Sequence, residues 1–110
     1  MIRGGRGPVW GGESTDLNAT LLEWPAGEGP AEHVNDQLDV LYVIVAGSAT
    51  LTVDGEPRKL GTGGVTIVEK GARRALVAGP GGVRYVTAHK RRGGLQLKSR
   101  QARQARPPGQ

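Results

Sequence analysis

Short apolar runs separated by turn residues fill the first ninety positions of the chain. Asn18-Ala-Thr-Leu-Leu-Glu-Trp24 reads as a strand and ends at Pro25, which has no N–H to donate to a ladder. Val9-Trp10 starts a short edge strand, and the loop 25–32 holds two prolines and two glycines. Val40-Leu-Tyr-Val-Ile-Val45 is a continuous β-branched run closed by Gly47. Ala49-Thr-Leu-Thr-Val53 alternates apolar and polar, and Asp54-Gly55 directly after it is a strong hairpin signal. Further strands are predicted at Lys59-Leu60, at Val65–Val68, and at Ala75–Val77 and Val83–His89 on either side of Gly79-Pro-Gly-Gly82. Seven or eight short strands at roughly eight- to twelve-residue spacing predict an all-β antiparallel sandwich or barrel. No stretch before residue 95 has a helical period. The expected organisation is an irregular arm at 1–8, a barrel at 9–94 and a basic tail at 95–110. Residues 96–106 contain helix formers without an apolar stripe, which predicts a frayed or disordered tail.

Composition supports this picture and narrows the chemistry. The 110 residues are one domain's worth, and 19 glycines without a triplet period suit turns and exclude collagen. The absence of cysteine excludes a disulfide framework, a cysteine nucleophile and a zinc–thiolate site. No apolar stretch approaches the ~18 residues of a membrane span, and the start lacks the apolar core of a signal peptide. A cytoplasmic location is therefore expected. The net charge of +5 is uneven: residues 1–89 carry 8 basic and 10 acidic side chains, and residues 90–110 carry 7 basic and none acidic. A basic tail suits nucleic acid, an acidic surface or simply solvent. No aromatic is interleaved with its basic residues, so single-strand stacking is unsupported and nucleic acid is not expected as a partner.

Between these strands, two segments carry a recognisable spacing. Gly27 is followed after five intervening residues by His33, with Asn35 and Val40 beyond it, and Gly47 follows Val40 after six intervening residues. Gly63 is followed after five residues by Glu69-Lys70-Gly71, and then by Arg74. This framework resembles the two signatures of the cupins, and the resemblance covers about residues 18–90. It implies a jelly-roll β-barrel of the small single-domain kind, similar to RmlC-like proteins. Metal-binding cupins are similar to one another in placing His, His, Glu and His on the inner face of the barrel. Here His33, Asn35, Val40 and Arg74 stand at those places, so one of the four ligands is retained.

That substitution pattern redirects the chemistry. Val40 cannot ligate, and Arg74 is permanently cationic with no lone pair to offer. A divalent ion near a guanidinium meets several kcal/mol of repulsion at roughly 4 Å and an effective dielectric near 20. No tight metal site is expected; His33 and His89 are at most a weak pair for a divalent transition metal. A guanidinium in a concave apolar site suits a carboxylate or phosphate. Asn35 can donate and accept, Tyr42 shares the phase of Val40 along its strand, and His33 is a titratable neighbour. His33, Asn35, Tyr42 and Arg74 are therefore the candidate ligand-binding set. His33 as base and Tyr42 as acid are the candidates for proton transfer, which the resemblance to cupin epimerases and isomerases also implies. A purely structural reading stands beside this one: Arg74 pairs with Asp39, Glu69 or Glu32 as internal glue, Tyr42 is core, and Trp24 is packing or lines the barrel mouth.

Three functions follow. The first is a small anion-binding cupin without a tight metal site, with catalysis left open. The second is a divergent metal-dependent cupin acting as a dioxygenase or isomerase. The third is a non-catalytic interaction protein using the basic tail. A homodimer is expected, because a short chain has a limited core and because Leu41, Val43 and Val45 imply cover on both faces of their strand; the family resemblance points the same way.

Overall fold

The computed structural model describes residues 5–91, and the expected tail from 95 onward lies outside them. Seven strands follow one another: β1 (Gly7–Glu13), β2 (Leu17–Trp24), β3 (His33–Val34), β4 (Val40–Val53), β5 (Glu56–Gly61), β6 (Val65–Val68) and β7 (Arg73–Lys90). There is no helix among the described residues. Every strand pair is antiparallel, in the order β1-β2-β7-β4-β5, with β3 paired to β7 and β6 to β4.

The two long strands turn this network into two layers. Residues 40–43 of β4 pair with β6 and residues 48–53 with β5. Residues 83–90 of β7 pair with β2, whereas residues 73–74 pair with β3. One layer is thus β1, β2, the end of β7, the start of β4, and β6. The other is β3, the start of β7, the end of β4, and β5. The sequence predicts separate strands at 40–45 and 49–53, and again at 75–77 and 83–89. In the structure each pair is one strand, because the glycines between them bend the chain without ending its pairing. The β4–β7 register shifts between Ile44 and Ala46 and between Gly47 and Ala49, which re-aims the strand into the second layer. Gly47 sits at this bend with φ +82, and a Cβ there would collide with the Gly82 carbonyl oxygen. The bends of β4 and β7 therefore lie directly against each other, and only a residue without a side chain fits between them.

Local sequence accounts for the rest of the frame. Asp54 and Gly55 have φ of 50° and 84°, the two positive values that a tight two-residue hairpin between β4 and β5 requires. Pro57 lies in β5, a strand at the end of the sheet order, where a missing N–H does no harm. β1 takes in Gly7 and Pro8, which the sequence places in the arm. β3 has two residues and no pattern of its own; its pairing with Arg73 and Arg74 creates it.

The core lies between the layers. Val40, Tyr42, Ile44, Leu51, Val53, Val68, Leu76, Val83 and Tyr85 are buried, with Leu22, Trp24 and Leu60 packed against them. Full burial of such side chains contributes roughly 1.5–3 kcal/mol each. The alternation is strict: positions 40, 42 and 44 of β4 point in, and 41, 43 and 45 point out. Trp24 is packing and is not on the wall of the cavity described next.

Candidate functional site

A cavity of about 310 Å³ opens between the layers, lined by Pro8, Thr20, Leu22, Pro30, His33, Asn35, Val40, Tyr42, Arg74, Tyr85, Thr87 and His89. All five residues singled out from the sequence as ligand-binding, catalytic or metal candidates (His33, Asn35, Tyr42, Arg74 and His89) are on its wall. Tyr85, Thr20 and Thr87 are also on it and were not singled out. Their signal was the period-two phase of β7, since Val83, Tyr85, Thr87 and His89 alternate with outward residues. The strand pairing then sets Thr87 beside Tyr42 on one side and Thr20 on the other.

Arg74 is the unusual member. It is 1% exposed, yet its guanidinium has no ion pair among the described residues. Nη2 donates to the Glu69 carbonyl oxygen at 3.4 Å, beyond the usual hydrogen-bond range. Nε is buried with no partner at all. None of the three carboxylates expected to pair with it forms an ion pair with it. Asp39 accepts from the Lys70 backbone N–H at 2.9 Å, and Glu32 lies 3.8 Å from the neighbouring Arg73. Glu69 offers Arg74 its backbone carbonyl and not its carboxylate. The internal-glue reading in its ion-pair form is thereby corrected. Alternation along β7 explains the two arginines: Arg73 points to solvent and Arg74 points in.

The histidines are held differently from the sequence expectation. His33, beside Arg74 across the β3–β7 ladder, is exposed at the mouth. Its Nδ1 donates to the Ala31 carbonyl oxygen at 3.1 Å, so a backbone group and no carboxylate orients the ring. His89 Nδ1 donates to the Lys90 carbonyl oxygen at 2.8 Å. In both rings a carbonyl fixes the proton on Nδ1, which leaves Nε2 with the lone pair in the neutral form. Asn35 is partly committed: its Oδ1 accepts from the backbone N–H groups of Gln37 and Leu38, both at 3.1 Å. This turn is what an Asn side chain does locally, and it leaves the amide NH2 as Asn35's contribution to the cavity. The backbone N–H of Gly71 donates to the Asn35 carbonyl at 2.8 Å and ties the two signature segments together.

The tyrosines form the floor. Tyr42 and Tyr85 are stacked, with ring centroids 5.9 Å apart and planes 18° from parallel. Burial holds the Tyr85 hydroxyl well above its ordinary pKa, with the nearby Trp24 indole N–H acting weakly the other way. Tyr85 is therefore a neutral hydrogen-bond donor across the physiological range.

The metal set of the fold family does not fit here. Among the described residues no group of three or more His, Cys, Asp or Glu side chains is placed to hold a metal ion. Val40 and the buried cation of Arg74 occupy two of the four ligand places. The wall offers instead one fixed positive charge, several neutral donors and an apolar lining, a combination suited to an anion with a small apolar body.

No family model and no curated protein matches the chain. Solved structures do. KdgF from a Halomonas species superposes with a TM-score of 0.69 at 19% identity over 76% of each chain. A cupin from Bacteroides fragilis gives 0.67 at 24% identity, covering 78% of this chain and 75% of that one. A Klebsiella pneumoniae protein with a double-stranded β-helix domain gives 0.68 at 20% identity, covering 81% and 82%. With its all-antiparallel two-layer barrel, its cavity between the layers and these neighbours, the described part of the chain has the cupin barrel fold.

Proposed function

We propose that this protein binds a small organic acid or a similar anion in the barrel cavity, with Arg74 as the charge that selects it. The observation supporting this reading is the state of Arg74: a buried guanidinium with an orphaned Nε–H and no carboxylate partner. A buried charge is costly unless paired. A carboxylate entering from the cavity supplies the missing partner. The Asn35 amide and the hydroxyls of Thr20, Thr87 and Tyr42 are the further polar groups on the wall, and Val40 and Leu22 face the apolar part of the ligand. His33 is the group able to exchange a proton with a bound acid at the mouth. Its Nε2 and the Tyr42 hydroxyl are the pair through which any proton-transfer chemistry would run.

The test is calorimetry with a panel of small carboxylates and inorganic phosphate on wild type and on Arg74→Met, beside a titration with nickel. One bidentate contact to a charged group contributes roughly 1.5–3 kcal/mol net, so the variant should bind about ten- to a hundredfold more weakly. Its thermal stability should be unchanged or higher, since an unpaired buried charge has been removed. Tight nickel binding indifferent to Arg74→Met would establish the divergent metal-dependent reading instead. Absence of anion binding together with a destabilised Arg74→Met would make Arg74 structural.

A further inference from the structure

The inner face of the first layer carries a row of hydroxyls. Following the strand pairing, Thr20 on β2 lies beside Thr87 on β7, Thr87 beside Tyr42 on β4, and Tyr42 beside Thr66 on β6. Partners directly opposite in an antiparallel ladder share a face, so the four form one line across four strands. Thr66 is taken, because its hydroxyl accepts from Arg58 Nη1 at 2.8 Å. The other three are on the cavity wall, and among the described residues none of their hydroxyls has a hydrogen-bond partner. His89, the next inward position of β7 after Thr87, adds the lone pair of its Nε2, since its Nδ1 donates to the Lys90 carbonyl. Arg74 belongs to the second layer, so its orphaned Nε–H and the hydroxyl row lie on different sides of the same cavity. No Asp or Glu is on that wall.

We propose that the ligand of this cavity is a small hydroxy acid, with its carboxylate on Arg74 and its hydroxyls on the Thr20–Thr87–Tyr42 row, and that an amino acid of the same size is disfavoured. The proposal rests on the anion reading above and narrows it. A hydroxyl both donates and accepts, so a row of hydroxyls matches a ligand group that does both and can pair with two neighbours at once. An acid with a purely apolar body leaves the row to water and gains nothing from it. An ammonium needs a negative partner. The wall has none, and the fixed charge of Arg74 repels it. A second carboxylate is equally unsupported, because Arg74 is the one fixed positive charge on the wall. At about 310 Å³ the cavity is also at the small end of ligand pockets. Its hydroxyls stay within reach of water, so a missing ligand hydroxyl is replaced and not left as an unpaired group. The discrimination is then that of one exchanged hydrogen bond, about tenfold, and not the roughly 10⁴-fold of a sealed polar site.

The experiment is calorimetric titration of the full chain at neutral pH with propionate, lactate, glycerate and alanine. These probes share a three-carbon skeleton and carry no hydroxyl, one hydroxyl, two hydroxyls and an ammonium. Lactate should bind about tenfold more tightly than propionate, glycerate more tightly again, and alanine at least tenfold more weakly than lactate. Thr20→Val and Thr87→Val should each bring lactate and glycerate toward propionate and leave propionate unchanged. Neither hydroxyl has a protein partner, so melting should be unaffected, and the two variants lie on different strands and check each other. Equal binding of propionate and lactate overturns the inference and leaves the anion reading standing. Alanine binding as tightly as lactate overturns it as well. A hydroxy-acid preference that survives both variants removes the row from recognition and refutes the assignment. Failure of every acid to bind removes the anion reading itself, and this inference with it.

Discussion

Replacing Gly47 by Ala tests how the two layers are held at the angle that shapes the cavity. Two costs add at this site. With φ at +82, an L-residue in the left-handed region costs about 1–2 kcal/mol. The new methyl would also collide with the Gly82 carbonyl oxygen and lie 3.0 Å from its carbon. These are backbone atoms of the facing bend, so no side chain can swing aside. Forced overpacking of this kind costs a further ~1–3 kcal/mol. Gly55→Ala is the control. Its φ of +84 carries the same conformational cost, but nothing lies within 4 Å of the added Cβ. Effects on the unfolded chain are alike in the two variants and cancel in their difference. By urea and thermal unfolding, Gly55→Ala should lose about 1–2 kcal/mol and Gly47→Ala roughly 2–5 kcal/mol. For a domain of this size each kcal/mol corresponds to about 4–8 °C. Anion binding should weaken in Gly47→Ala and persist in Gly55→Ala. Equal destabilisation by the two variants would refute the idea that the bends of β4 and β7 are locked by direct backbone contact.

Two further outcomes follow from the buried polar groups. Glu23 is buried and accepts from Arg84 Nε at 2.7 Å and Nη2 at 2.5 Å, so Glu23→Ala strands a two-thirds-buried cation and should cost about 1–3 kcal/mol. A double variant with Arg84→Ala that costs as much as the sum of the singles would show the pair contributes nothing. Tyr85 titrates higher when folded than when unfolded. Below its ordinary pKa of ~10 the neutral form prevails in both states. Above that value the unfolded chain sheds the proton and the folded one keeps it, so stability should fall by up to ~1.4 kcal/mol per pH unit. Denaturation followed from pH 9 to 11 should show a shallower slope in Tyr85→Phe; an identical slope would mean the hydroxyl is not shielded.

The local features of this protein are legible along its chain. Period-two alternation depends only on which face each residue must bury, so β2, β5, β6 and the inward phase of Val40, Tyr42 and Ile44 are legible one strand at a time. Asp54-Gly55 announces its turn because the left-handed conformation is decided within two residues. The glycine spacing around His33 and Arg74 identified the barrel, and the charge at position 74 pointed away from a metal. Tertiary structure decided the rest. Gly47 and the Gly79–Gly82 segment look like strand ends in sequence, and only pairing across the bend makes β4 and β7 continuous. β3 exists because Arg73 and Arg74 offer it a ladder, with no propensity of its own. Asn35 spends its side-chain carbonyl on its own loop, Asp39 and Glu32 engage Lys70 and Arg73, and Glu69 reaches Arg74 through its backbone carbonyl. Whether a buried charge has a partner depends on where distant side chains come to rest, and that is a property of packing in three dimensions that no spacing along the chain encodes.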